Sequence, residues 1–361
     1  MNTLTPFSQE IAWPVIGHER AIQMLRRSIV NGRLSHAYLF TGPQGTGKRT
    51  LAISFAMALN CQAGDPLGDQ PPDAPCGLCS ACQRILHGAH PDVVEVSLET
   101  QAQALAQAAG KGKVATPKEL KIDTIREMQA TVGLRPHSGR WKVYIVGDAD
   151  RLNEEAANCM LKTLEEPPQH TILVLLASDE AAVLPTISSR CIQVPLRALG
   201  RGAVKESLLK QWGVDDPEKA DLLAALSGGR LGYAVNLLQD SSALSDRRSY
   251  LQELALLSKA TVADRMEAAA RYAKQFTDAR PALYAMLDTW ESWWRDVLIV
   301  SAQASELAAN VDQLQTLTAS AGRNSPKRAS EALELISQTR QQLQENVNPR
   351  LALESLALGM P

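Results

Sequence analysis

The sequence predicts an α/β domain built on a parallel sheet over residues 1–198, a small helical lid over 199–245 and an all-helical domain over 246–361. Three observations carry that reading. Short apolar or β-branched runs (AYLF, DVVEV, KVYIV, TILVLLAS, CIQVPL) alternate with amphipathic stretches up to Pro195, as expected of a sheet covered on both faces. Strand signals then stop, and residues 200–240 read as short helices punctuated by Gly228, Gly229 and Gly232. From Asp246 onward a long succession of helix formers is interrupted only by Gly322 and Gly359, with prolines at 281, 326, 349 and 361.

Length and composition agree with several cores. The chain has 361 residues, 45% hydrophobic and 21% charged, which excludes wholesale disorder. Lys plus Arg number 37 against 39 for Asp plus Glu, so global positive charge of the kind that drives nonspecific DNA or membrane binding is absent. Contact with nucleic acid must be local or shared with partners. No run approaches ~20 apolar residues, and the opening MNTLTPFSQEIAWP has no signal-peptide pattern, so a cytoplasmic chain with no membrane contact is expected. Residues 99–117, ETQAQALAQAAGKGKVATP, show little apolar periodicity and read as a mobile insertion; its Lys111 and Lys113 could brush a phosphate backbone, but a solvated loop is the preferred reading.

The first functional motif is HAYLFTGPQGTGKRTLAIS, a strand, a glycine-rich turn and a helix, which is the context a P-loop requires. Gly42, Pro43, Gln44, Gly45, Thr46, Gly47, Lys48, Arg49 and Thr50 are the candidate ATP or ADP cradle, in which backbone N–H groups and a helix N-terminus meet phosphate and Lys48 pairs with its charge. The hydroxyl that holds Mg²⁺ should follow the lysine directly, but Arg49 stands there and Thr50 is turned about 100° away. The strand KVYIVGDADRL offers Gly147 and Asp148 where an acidic pair is expected. Magnesium should therefore not be held by this chain, and nucleotide binding should be weak or absent. Plain core packing followed by a turn explains the KVYIV strand as well as catalysis does.

The second motif is Cys61 followed by CGLCSAC, which places Cys76, Cys79 and Cys82 at steps of three. Four soft ligands at this spacing suit a structural, tetrahedral Zn²⁺. An iron–sulfur cluster is the competing reading, but the cysteine followed by proline that the ferredoxin pattern carries is missing. His87 and His90 are expected at the surface, and Cys159 and Cys191 are expected to be core thiols.

With its Cys₄ module inserted after the P-loop helix, the chain resembles bacterial clamp-loader subunits of the AAA+ class. NGRLSHAYLF, LNEEAANCMLKTLEEPPQHTILVLLAS and LPTISSRC look like segments of that family, and NVNPRLALESLAL looks like the closing helix of the collar in one member. The resemblance implies an AAA+ domain, lid and collar, and a place in a five-membered ring with gamma/tau and delta subunits that sets a sliding clamp on primed DNA. A motor member would keep the post-lysine hydroxyl, the acidic pair and a lid sensor arginine; here Arg49, Gly147 with Asp148, and Gly232 occupy those places. These departures imply a member that does not hydrolyse ATP by itself. Ser189, Arg190 and Cys191 preserve the SRC motif, whose arginine in this family reaches a neighbour's γ-phosphate, so Arg190 is the candidate catalytic residue, supplied in trans; the alternative is a surface arginine. A motor of the gamma/tau type and a stand-alone AAA+ remodelling or repair ATPase are the competing functional readings.

Overall fold

The structure, a computed structural model, describes residues 13–63, 71–110, 117–240, 242–345 and 347–361. Lys111 and Lys113 lie outside them. The chain separates into two compact units, one of residues 1–199 with 230–232 and one of residues 200–229 with 233–361.

In the first unit β1 (Ala37–Thr41), β2 (Val93–Val96), β3 (Lys142–Val146), β4 (Thr171–Ala177) and β5 (Ile192–Pro195) form one parallel sheet in the order β2-β3-β4-β1-β5. All five apolar runs in the sequence supply strands. The helices are α1 (Glu19–Val30), α2 (Lys48–Asn60), α3 (Ser80–Leu86), α4 (Leu98–Ala108), α5 (Ile122–Val132), α6 (Glu154–Glu165) and α7 (Pro185–Ser188). Tyr38, Phe40, Val143, Ile145, Ile172 and Val174 enter one core with Leu25, Phe55 and Leu59 of α1 and α2. Their sequence neighbours Leu39, Tyr144, Val146, Leu173 and Leu175 enter the opposite core with Ile125, Met128 and Met160 of α5 and α6. Successive strand residues face opposite ways, so two covered faces require unbroken apolar runs. Pairing of β1 with both β4 and β5 sets the loop after β1 at the carboxyl edge of the sheet, where open α/β folds bind ligands.

The mobile insertion expected at 99–117 is corrected over its first part by α4, while residues 111–116 lie outside the described residues. Ser97 and Thr100 form a capping box at its start, and Leu98, Ala102 and Ala106 are buried. Gln101 is buried too; its Oε1 accepts from Lys121 N at 2.9 Å and Thr124 Oγ1 at 2.7 Å, while Nε2 donates to Glu119 O at 3.0 Å. Alanine and glutamine give the helix too little apolar contrast to stand out in sequence, and it is a buried amide with three hydrogen bonds that anchors it.

The described residues of the second unit form no strand; the helices are α8 (Arg201–Gln211), α9 (Pro217–Ser227), α10 (Leu231–Gln239, whose first two residues belong to the first unit), α11 (Ala243–Leu257), α12 (Val262–Asp278), α13 (Arg280–Ser301), α14 (Leu314–Arg323), α15 (Pro326–Gln344) and α16 (Pro349–Gly359). Pro281, Pro326 and Pro349 each sit in the first turn of a helix, where a missing N–H costs nothing. Trp290, Trp293 and Trp294 are buried in its core, and Trp290 Nε1 donates to Tyr250 O at 2.9 Å. Among the described residues no helix is long and apolar enough to cross a membrane.

Candidate functional site

Helix α2 carries a candidate site at each end. At its N-terminus the loop from Gly42 to Gly47 has the glycine conformations a phosphate cradle needs: Gly42 at φ 143° and Gly47, the residue capping the helix, at φ 96°. A Cβ on Gly42 would stand 2.0 Å from Leu196 O, so no other residue fits there. Pro43 and Gln44 are exposed and Thr46 is buried, its Oγ1 donating to Pro43 O at 2.8 Å. His18 is buried beneath the loop; its Nε2–H donates to Thr46 O at 2.9 Å, and burial lowers its pKa. Its only cue in the sequence is a position just ahead of α1.

The side chains that would act on nucleotide have partners within the chain. Lys48 Nζ donates to Gly42 O and, at 3.0 Å, to Pro43 O; burial lowers its pKa against the opposing pull of Asp150 and Asp148. Arg49 forms a forked pair with Glu95 of β2, Nε to Oε2 at 2.7 Å and Nη2 to Oε1 at 2.8 Å, and so points away from the loop. Thr50 is half-buried one helical step further on. Gly147 N–H donates to Val96 O at 2.7 Å, and a Cβ there would lie 3.2 Å from Ser97 Cβ. Asp148 accepts from Leu98 N at 3.2 Å, so its carboxylate faces the first turn of α4. Gly232 N–H donates to Gly45 O at 2.8 Å, and a Cβ on it would stand 2.9 Å from that oxygen. An arginine there would have to push the loop aside.

At the other end of α2, Cys61 caps the helix and meets Cys76, Cys79 and Cys82, with all four sulfurs within 4.8 Å of one another. A tetrahedron with Zn–S bonds of ~2.3 Å has edges of about 3.8 Å, so a small contraction accommodates the ion. Backbone N–H groups already point at the sulfurs: Cys76 N to Cys61 Sγ at 3.4 Å, Cys79 N to Cys76 Sγ at 3.3 Å, Cys82 N to Cys79 Sγ at 3.5 Å and Gln62 N to Cys79 Sγ at 3.4 Å. The bond with Cys82 holds the Cys61 thiol well below the usual thiol range and pushes Cys82 up. Four thiols, no histidine and this N–H shell fit a structural zinc. His87 is exposed as expected, but His90 is buried, which corrects its placement at the surface; its Nδ1 accepts from Asp92 N at 3.2 Å at the entry to β2.

A lattice around the buried Asp92, which the sequence does not announce, supports this end. Asp92 accepts from the backbone N–H groups of His137, Ser138 and Gly139, each at 2.7 Å. The turn so fixed puts Arg140 Nη1 2.7 Å from Cys61 O and Trp141 N 2.9 Å from Asn60 Oδ1. Asp92 lies 45 residues from the first of its partners, a separation at which no sequence pattern operates.

Arg190 lies apart from both ends of α2, just past α7. It is exposed, with Nη1 donating to Thr186 O at 2.9 Å and Nη2 to Glu165 Oε1 at 2.8 Å. The pair it forms with Glu165 is solvent-washed, 37% and 51% exposed, and such pairs contribute at most ~1 kcal/mol. Cys159 and Cys191 are half-buried against the α5–α6 core, and burial pushes the Cys191 thiol up to about 12.

Comparison with known proteins gives two family matches that share one description. The pattern described as DNA polymerase III, delta subunit, matches residues 17–200, and that of its C-terminal part matches residues 241–360. DNA polymerase III subunit tau of Escherichia coli is 31% identical over 236 residues, 64% of this chain and 33% of its own length. Subunit delta' of Bacillus subtilis is 33% identical over 64% of this chain and 63% of its own. Subunit delta' of Pseudomonas aeruginosa is 35% identical over 54% of this chain and 53% of its own. The chain thus matches about a third of the tau relative's length.

Proposed function

We propose, from the premise that the chain belongs to the DNA polymerase III delta-subunit family, that it is the delta'-type stator of a clamp loader. In this reading it performs no hydrolysis alone and offers Arg190 to nucleotide held by a neighbouring subunit. The observation that carries the proposal is the reassignment of the nucleotide apparatus: Arg49 is forked onto Glu95, Asp148 faces α4, and Gly232 lies against Gly45. Residues that would bind metal and γ-phosphate have other partners, while Arg190 keeps an exposed guanidinium. Leaving Glu165 costs that side chain little, and a forked, charge-assisted contact with phosphate returns more.

Its partners are gamma/tau- and delta-type subunits in a five-membered ring, and through that complex the sliding clamp and primed DNA, within a cytoplasmic DNA-directed DNA polymerase, a nucleotidyltransferase. The parts are an AAA+ domain to residue 198, a lid over 199–245 and a collar over 246–361. Zinc is structural, and ATP or ADP in the loop would rest on phosphate contacts without protein-held magnesium.

The test is ring formation and ATPase with purified partner subunits for wild type, Arg190→Ala and Arg190→Lys. An arginine finger acting alone is worth about 10³ to 10⁵ in rate, but a ring with several sites dilutes the bulk effect to severalfold. Both variants should assemble and both should lose activity, because an ammonium lacks the planar fork. Undiminished ATPase in both would make Arg190 a surface residue. A gamma/tau-type motor is the second reading, favoured by the 31% identity to tau; steady ATP turnover by the isolated chain would establish it.

A further inference from the structure

Helix α1 ends in a Schellman turn, with Gly32 N–H donating to Ile29 O and Arg33 N–H to Ser28 O, both at 3.0 Å, and Gly32 at φ 62°. The turn brings Arg33 back beside the helix. There Arg20, Gln23, Arg27, Asn31 and Arg33 line an open groove of about 460 Å³. A second recess of about 270 Å³ continues past Arg27 and Asn31 to Arg26 and Asp73. Arg26 is taken by an ion pair with Asp73, whose backbone carbonyl also accepts from Trp13 Nε1 at 3.3 Å. The first groove has no carboxylate in its lining, and among the described residues Arg20, Arg27 and Arg33 make no ion pair.

Helix stability explains only part of this. Arg27 and Arg33 sit at the C-terminal end of α1, where the helix dipole favours cations, but Arg20 is in the first turn, where the dipole opposes one. Three like charges around one groove in a chain of net charge −2 call for an anionic occupant. Seven residues separate Arg20 from Arg27, about 10 Å along the axis at ~1.5 Å per residue. Measured along a duplex axis, where each strand carries one phosphate per ~3.4 Å of rise, that is the reach of about three phosphates, which is too wide for one small anion. Of the lining residues only Met24 is apolar, so an acidic protein would find no pocket for the hydrophobic or aromatic anchor that protein interfaces rely on. Phosphate contacts need only donors, which Gln23 and Asn31 also supply.

We infer that the α1 groove of Arg20, Arg27 and Arg33 binds the phosphodiester backbone of DNA without regard to sequence. This goes beyond the stator reading, which brings DNA only to the assembled complex, and its test involves neither Arg190 nor ATP. The experiment is fluorescence anisotropy of a labelled primer–template DNA of mixed sequence, titrated with the full chain over a salt series. Combined Arg20→Gln, Arg27→Gln and Arg33→Gln should weaken binding about tenfold or more at low salt and make the log–log salt slope shallower by about 2 to 3. Arg20→Gln alone, which removes a charge the dipole disfavours, should keep the fold and lower the slope by about 1. The charge-matched control combines Arg248→Gln, Arg323→Gln and Arg328→Gln, all exposed on the helical unit. An equal loss in that control would reduce the effect to net charge and overturn the site. Displacement of the DNA by polyglutamate at equal charge concentration would overturn it too, in favour of an acidic protein partner.

Discussion

The two ends of the thirteen-residue helix α2 are furnished in opposite ways. At the C-terminal end the donor set is whole: four sulfurs converge, backbone N–H groups point at them, and Asp92 and Arg140 brace the turn against which Cys61 rests. At the N-terminal end the cradle keeps its glycines, but the side chains that would complete it are used elsewhere. Lys48 bonds to the carbonyls of its own loop, Arg49 to Glu95, and Asp148 accepts from the first turn of α4. The glycine turn is required by packing whatever the loop binds, as the close approach of Gly42 to Leu196 O requires.

The largest effect should come at the cysteine end. One zinc ion per chain is expected by elemental analysis, and Cys79→Ser should abolish stoichiometric zinc and unfold the knuckle locally, since sites of this kind contribute ~10 kcal/mol or more of apparent binding energy. Iron in place of zinc, or only a trace of zinc after mild purification, would break the comparison at its firmer end.

Next comes the lattice that braces that end. Asp92→Ala would remove the acceptor of three part-buried N–H groups and should cost about 1 to 3 kcal/mol in a denaturant titration. Burial alone would raise the Asp92 carboxyl, but the three N–H donors outweigh it and hold the pKa below its ordinary 3.8. A depressed folded-state pKa makes the contribution fully present above the unfolded value and lost as pH falls through the folded one. Wild type should therefore lose this increment only below about pH 4, and Asp92→Asn should flatten that part of the stability profile. An unchanged acid limb in the variant would show that the lattice is held by something other than this charge.

The smallest effect is expected at the nucleotide end. Lys48→Ala should leave clamp loading by a reconstituted complex within about threefold of wild type, under ~1 kcal/mol. A hundredfold fall would mean that the loop still works on nucleotide, erase the contrast between the two ends and favour the motor reading.

Several features were legible without the structure because they are written at short range. The strands are continuous apolar runs, the glycine loop lies between one of them and a helix, and three of the four cysteines stand three residues apart. Local pattern fails where a group is satisfied from afar. α4 reads as low-complexity because its anchor, Gln101, finds its partners at residues 119–124. His90 reads as a surface histidine because only the turn into β2 buries it.

By itself the sequence determined the sheet, the helical unit, the tight spacing of Cys76, Cys79 and Cys82 and which residues stand at positions 49 and 147, all consequences of residue type and spacing. The tertiary structure alone decided where the displaced side chains went. Arg49 meets Glu95 across 46 residues because the edge strand β2 carries Glu95 to it, and Gly232 meets Gly45 because the chain returns to the loop after two further helices. Such contacts depend on loop closure and strand order, and spacing along the chain carries no record of either.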